Sequence, residues 1–412
     1  MKTVGIIAEY NPFHNGHTYQ IKQAKEATEA DYCIVILSGN FVQRGTPAIM
    51  DKLLRTRIAL LEGADIVIEL PVHYSTGSAE YFASGAVALL DKLGVTDVLC
   101  FGSECGDLHA LSSLSHALVS ESEEFKTRIK QEMKAGYSYP KARSDALCAT
   151  APQLTKYLDI LRFPNNILGL EYLKALEKRN SNIKAHTISR VGTNYHDASL
   201  HTAYSSALAI RESIMLKEDI RFIKEQVPPA AYELMEQNYQ KTFPILPGDI
   251  SSLLLYKLIQ EEENGYMDYF DIDSHFSDRV GRHLSSYTDF ESFCELLKSK
   301  NITYTKVSRN LLHILLNIYQ KDVETYCAED FVYYARMLGF RKDAKELLSA
   351  IKASSSIPLL SKLAAADERI ASANGKKMLH SDIQASHIYG LIGSQKFRQP
   401  FQNECTKPPV VL

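Results

Sequence analysis

Apolar and polar positions come in alternating blocks along the first half of the chain. Four runs rich in β-branched residues, TVGIIAEY, YCIVILSG, ADIVIELP and VTDVLCFGSE, have strand length and stay apolar at successive positions. Between them, HTYQIKQAKEAT, KLLRTRIALLEG and AEYFASGAVALLDKLG place apolar residues every three or four positions, the helical period. A strand apolar on both faces needs cover on both faces, and intervening helices supply it; the pattern predicts an α/β fold built on a parallel sheet. Ligands of such sheets bind beyond the carboxyl ends of the strands. After Pro228-Pro229, and from about Phe243 onward, the pattern changes. DISSLLLYKLIQE, FESFCELLKS, VSRNLLHILLNIYQ and DAKELLSAIKA keep the helical period with almost no strand signal. These blocks predict an α/β domain over residues 1–240 and a mainly α-helical one over residues 241–412. In the second, Leu311, Leu315 and Ile318 make a core stripe, leaving Lys306 and Arg309 for water or an RNA backbone.

Composition narrows the class. A length of 412 residues exceeds one ordinary core, in keeping with two domains. With 45% apolar and 23% charged residues the chain reads as a soluble globular protein. Neither a leader peptide nor a run long enough to span a membrane is visible, and the seven scattered cysteines form no CxxC pair. A cytoplasmic protein without a disulfide framework or zinc ribbon is expected. The net charge of -3 does not announce nucleic acid, although a near-neutral total can conceal a basic face.

Candidate chemistry begins where the first strand gives way to a helix, in EYNPFHNGH. His14 and His17 there stand at a helix amino terminus, where free backbone N–H groups and the macrodipole already favour an anion. Two imidazole N–H donors added at that point suit phosphate oxygens, above all as charge builds on departing pyrophosphate. Gly16 removes a side chain where a base or ribose has to approach the backbone, and Asn11-Pro12 fixes the turn. A zinc site would need a third ligand at metal spacing, and none is apparent.

HNGH after a first strand resembles the HxGH signature of HIGH-superfamily nucleotidyltransferases. EYNPFHNGH, SGNFVQRGTPA, DIVIELP, FGSE, PNNILGLEY, SRVGTNYHD and SSALAIR together resemble the bacterial tRNA(Met) cytidine acetate ligase family, over roughly the first 215 residues and more weakly through SRNLLHILLNI and ARMLGFRKDAKELL. The resemblance implies a Rossmann-like nucleotidyltransferase domain with a parallel sheet, followed by the mainly helical part. It also implies two steps: acetate attacks the α-phosphorus of ATP to give acetyl adenylate and pyrophosphate, and the wobble cytidine of elongator tRNA(Met) then takes the acetyl group on N4, releasing AMP. Mg²⁺ is expected with ATP.

By the same resemblance the ATP segment falls on Ile7, Ala8, Glu9, Tyr10, Asn11, Pro12, Phe13, His14, Asn15, Gly16, His17, Thr18, Tyr19 and Gln20, with Gly102, Asn165 and Arg190 joining it. Gly102 closes a strand, where it is either a tight exit or room for adenine and ribose. Asn165 follows Pro164 at a helix start and suits an N-cap, a nucleotide contact, or both. A guanidinium at Arg190 matches a bidentate phosphate clasp. In YSSALAIRES, Ser205 or Ser206 caps a helix whose first turns carry Arg211; the catalytic set is then His14, His17, Ser206 and Arg211. No lysine lies in SSALAIR, unlike the superfamily's KMSKS form, so Arg211 has to serve instead. Gln43, Arg44 and Lys52 surround a Gly45-Thr46-Pro47 turn, with Arg44 suited to triphosphate, to acetate, or to an ordinary charged loop. No general base stands out, and the first step needs none because acetate is already ionised at neutral pH.

The acceptor RNA leaves a fainter trace. FKTRIKQEMKAGYSYPKARS joins Lys126, Arg128, Lys130 and Lys134 to Tyr137 and Tyr139, a basic patch with interleaved aromatics, and such lysines also fit a solvated helical face. Two other readings use the same HxGH: a small-molecule adenylyltransferase, complete at about half this length, and an RNA-binding protein with a vestigial nucleotide site.

Overall fold

The computed structural model describes residues 1–120, 122–137, 139–190, 205–217 and 219–412. The VGTNYHD part of the SRVGTNYHD stretch and the Tyr139 side chain lie outside the described residues. Ten strands are present among them: β1 (Thr3–Ala8), β2 (Tyr32–Ser38), β3 (Phe41–Val42), β4 (Thr46–Pro47), β5 (Ile66–Leu70), β6 (Val98–Ser103), β7 (Lys184–Ser189), β8 (Ala335–Phe340), β9 (Leu359–Leu360) and β10 (Val410–Val411). The main sheet runs in the order β10-β8-β5-β2-β1-β6-β7, with β9 also on β8, and β3 and β4 form a separate small hairpin. From β5 to β7 every pair is parallel.

Period-two alternation explains why these strands read as continuous apolar runs. Cys33, Val35 and Leu37 point to one face and join Val4, Ile6 and Val67 under helices α1 (Asn15–Thr28) and α2 (Lys52–Leu61). Ile34 and Ile36 point to the other and join Ile66 and Ile68 under the helices Ala79–Leu93 and Pro164–Lys178. Both faces are therefore buried, as a parallel sheet requires. The strand order reverses between β1 and β6, which opens a crevice at their carboxyl ends.

Residues after 241 are mainly helical, but the expectation of almost no strand there needs correction. β8 pairs antiparallel with β5 and carries β9 and β10 on its far edge. Its sequence ARMLGF hides the strand because Arg336 interrupts the apolar run. That guanidinium is buried against Glu69 at 2.8 Å and Glu404 at 2.6 Å.

The stripe Leu311, Leu315 and Ile318 is buried as expected, in a third core built around the helix Tyr304–Leu316. Lys306, expected to be open, pairs with Asp271 at 3.0 Å, and Arg309 packs into the fold with a buried Nε. That helix also braces the β3–β4 hairpin: Ser308 Oγ donates to the Gly45 carbonyl at 3.0 Å. Gly45 has φ +78°, and a Cβ there would lie 2.3 Å from the Arg309 nitrogen, so only glycine fits. The helical region thereby sets the position of Gln43 and Arg44, which the hairpin presents to the crevice.

Candidate active site

At the end of β1 the chain passes through Tyr10, held at φ 48°, and a cis Asn11-Pro12 peptide into α1. His14 is the N-cap of that helix. Its Nδ1 accepts a hydrogen bond from the Gly16 N–H at 3.1 Å, and the His14 N–H donates to His17 Nδ1 at 3.2 Å. This reciprocal cap fixes both tautomers. A neutral imidazole that accepts at Nδ1 carries its proton on Nε2, so each ring has one N–H donor left for a ligand. The rings stack at 3.7 Å between centroids, and the edge of Tyr10 supports His17 at 4.8 Å.

Both histidines are kept neutral. Burial, then the charges of Arg190 and Arg211, push His14 down to about 3. For His17 burial leads, followed by His14 and Arg190, again downward. The pair therefore works as dipolar donors, and the positive charge comes from the arginines. Gly16 also has a packing reason: a Cβ there would lie 2.9 Å from His14 Cε1, so the glycine makes room for the folded-back ring.

The crevice holds two adjoining cavities. Into one, of about 1100 Å³ including its mouth, face Ile7, Ala8, Glu9, Tyr10, Asn11, His14, His17, Gln20, Gly102, Asn165, Arg190, Ser206 and Arg211, all of them sequence candidates. Gln43 and Arg44 reach the same cavity from the hairpin. The other adds Gly16, Tyr19 and Ser205, beside Ile188 and Ser189 of β7. Four candidates of the ATP segment line neither. Phe13 is buried against Tyr10, Pro12 sits in the turn, Asn15 donates to the Glu225 carbonyl at 2.8 Å, and Thr18 Oγ1 donates to Glu62 at 2.9 Å. Asn15 and Thr18 thus anchor the start of α1 to its neighbours.

Supporting contacts account for the remaining positions. Phe163, not Asn165, is the N-cap of the helix Pro164–Lys178. The Glu104 carboxylate instead accepts from the Asn165 N–H at 3.1 Å, the Asn166 N–H at 2.7 Å and Asn165 Nδ2 at 2.6 Å, while Asn166 Oδ1 accepts from the Glu104 and Cys105 N–H groups. The end of β6 is thereby locked to the helix that presents Asn165. Ser206 caps the helix Ala207–Lys217, its Oγ accepting from the Ala209 N–H at 3.1 Å. Arg211 Nη1 donates to the Asn11 carbonyl, which ties that helix to the turn after β1.

Arg55 is fully buried and donates to the carbonyls of Glu9, Ser38, Gly39 and Met50, pinning the loops after β1 and β2 together. Lys52 does not reach the site. It is buried under the loop and bonded to Glu69 at 2.6 Å, Glu404 at 2.9 Å and Ser386 at 2.7 Å.

Sequence reasoning missed the apolar wall of the larger cavity: Phe82, Phe101, Leu168 and Tyr172. These come from three separate elements, and only the closed fold brings them together. Lys126, Arg128, Lys130 and Lys134 lie on the helix Glu123–Lys134, away from both cavities, with only Phe125 of that helix buried. Among the described residues no cluster of three or more His, Cys, Asp or Glu side chains is placed to hold a metal, and no helix is long and apolar enough to cross a membrane.

A doubly wound sheet with paired imidazole donors and two arginines at its switch point is the architecture of a nucleotidyltransferase, and a model of the HIGH Nucleotidyl Transferase family matches residues 1–404, so the chain belongs to that family. It is 37% identical over 404 residues to the tRNA(Met) cytidine acetate ligase of Halothermothrix orenii, covering 95% of each chain. With the tRNA(Met) cytidine acetate ligase of Caldicellulosiruptor saccharolyticus it shares 37% over 414 residues, covering 100% of this chain and 99% of the other. Among solved structures it is similar to apo Thermotoga maritima TmcAL, with a TM-score of 0.94, 30% identity and complete coverage of both chains. The same Thermotoga protein bound with alpha-thio ATP gives a TM-score of 0.91 at 29% identity, again over the full length of both.

Proposed function

We propose that this chain is an ATP-dependent tRNA(Met) cytidine acetate ligase that makes acetyl adenylate and passes the acetyl group to N4 of the wobble cytidine in elongator tRNA(Met). The observation that carries the reading is the reciprocal cap of α1, which leaves His14 Nε2–H and His17 Nε2–H as donors facing a cavity that Arg190 and Arg211 also line. Such donors, fixed before the substrate arrives, stabilise charge that builds on the triphosphate as acetate attacks the α-phosphorus and pyrophosphate leaves. Held neutral, the rings keep this role across the physiological pH range.

The two cavities share His14, His17, Gln20, Gly102, Arg190 and Ser206. We assign the phosphates to that shared wall. The base fits the smaller cavity, where Gly16 and Gly102 leave the backbone bare beside Ile188. Arg190 and Arg211 serve as phosphate clasps in the absence of a KMSKS lysine, and Mg²⁺ enters as part of the substrate. The tRNA is held in part by Lys126, Arg128, Lys130 and Lys134, whose exposed helix suits phosphate contacts, and in part by the helical region after residue 241. The cytoplasmic placement follows from this substrate.

The test incubates the protein with ATP, labelled acetate and bulk tRNA, then digests the RNA to nucleosides. Label in N4-acetylcytidine is expected. Label in no nucleoside, with folded protein, overturns the reading.

A further inference from the structure

The second step has an unmet requirement. When N4 of cytidine attacks the acetyl carbon, the N4–C bond forms, the C–O bond to AMP breaks, and N4 must lose one proton. The imidazoles cannot receive it: His14 and His17 already accept at Nδ1 and carry hydrogen at Nε2. Tyr10 and Tyr172 remain protonated phenols, each pushed upward first by burial. Glu9 is the one carboxylate among the described residues lining either cavity.

Its placement is specific. Glu9 Oε1 accepts from the Gln43 N–H at 2.9 Å, and the other oxygen makes no hydrogen bond among the described residues. Glu9 lines the same cavity as Phe82, Phe101, Leu168 and Tyr172, and after burial its charge is what raises the Tyr172 phenol. An anion there would repel a triphosphate, which marks this end of the cavity as the acceptor's. Phe82, Phe101 and Tyr172 give this end of the cavity an aromatic lining suited to a flat base, and Phe101 meets Tyr172 at 5.6 Å between ring centroids. This recess is continuous with the wall assigned to the phosphates, since Glu9, Phe101 and Tyr172 line one cavity together with His14, His17 and Arg190.

We propose that the recess lined by Phe82, Phe101, Leu168 and Tyr172 receives the unstacked cytosine, and that Glu9 accepts a hydrogen bond from its N4 amine and then takes the N4 proton as the acetyl group transfers. A carboxylate is the side chain that pairs with the cytosine N4 donor, so one group both selects the base and completes the reaction. The proton passes from Glu9 to water once AMP and the acetylated RNA leave.

The proposal rests on the acetate-ligase reading, and the experiment separates the two. Acetyl adenylate is trapped with hydroxylamine, a strong nucleophile that needs no base, and acetohydroxamate is measured beside N4-acetylcytidine in tRNA(Met). Wild-type protein that forms no acetohydroxamate from ATP and acetate overturns the reading itself. Given that product, Glu9→Gln, which keeps the acceptor for Gln43 N–H, is expected to lower tRNA acetylation about 100-fold more than acetohydroxamate formation. Glu9→Asp, with a shorter carboxylate, should recover at least about tenfold of that loss. If Glu9→Gln lowers both products in the same proportion, or leaves tRNA acetylation intact, or if Glu9→Asp is no better than Glu9→Gln, Glu9 is not the acceptor of the N4 proton.

Discussion

Replacing Gly16 by alanine separates the stability of α1 from its chemistry. The new Cβ would stand 2.9 Å from His14 Cε1 and 3.1 Å from Nδ1, closer than such atoms tolerate, so the ring must swing away and give up the Gly16 N–H. Losing an N-cap side-chain bond costs about 1 kcal/mol. Gly16 is the second residue of α1, and Gly→Ala within a helix returns about 0.5–1 kcal/mol. The two nearly cancel, and a net of about 1 kcal/mol or less moves the melting temperature of a chain this size by only about 2 °C.

The chemical cost has no such offset. A donor displaced by about 1 Å loses roughly 100-fold in rate. The assay pairs a thermal melt with acetate-dependent ATP–pyrophosphate exchange. A near-unchanged melt with exchange down about 100-fold is expected. Full exchange, or a loss of exchange that merely follows a large drop in melting temperature, would refute the capping argument.

Lys52→Met leaves Glu69 and Glu404 short of a buried cation and should cost about 3–5 kcal/mol in urea denaturation; a shift near zero would show that the network closes without it. Glu104→Gln weakens the carboxylate cap on the helix Pro164–Lys178 and should raise KM for ATP more than it lowers kcat, checked by steady-state kinetics in which an unchanged KM counts against Asn165 as a nucleotide contact. Acid should destabilise the fold through its neutral histidines. His14, His73 and His313 fall from 6.5 to about 3, 3 and 4, so below 6.5 the unfolded chain binds protons the fold does not, and each ring removes about 1.4 kcal/mol per pH unit until its folded value is reached. Urea midpoints that stay flat from about pH 7 to about pH 5 would contradict this. Lys126, Arg128 and Lys130 changed together to alanine should weaken tRNA binding with a shallower salt dependence while leaving pyrophosphate exchange intact; equal loss of both would move them into the nucleotide site.

What the sequence exposed, and what it hid, divides along the range of the interactions. β1, β2, β5 and β6 were legible because burial on both faces writes an uninterrupted apolar run, and HNGH was legible because its cap closes within four residues. β8 was not, since Arg336 finds its counter-ions only in Glu69 and Glu404, far away in the chain. For the same reason Lys52 read only as a residue beside the Gly45-Thr46-Pro47 turn, although the fold buries it against Glu69 and Glu404. Asn165 read as a cap, a nucleotide contact, or both, and the cap part misled because the capping carboxylate, Glu104, comes from another strand end. The recess of Phe82, Phe101, Leu168 and Tyr172 left no local trace, as each residue also serves an ordinary helix or strand core.

Nitrogen-15 spectra of histidine-labelled protein test the central claim most directly, with His14 and His17 assigned by comparing variants at each position. The account predicts that both rings are neutral with hydrogen on Nε2, stay so from about pH 8 to about pH 5.5, and shift at Nε2 when an ATP analogue binds. A proton on Nδ1, an imidazolium at neutral pH, or Nε2 signals indifferent to the nucleotide would contradict it.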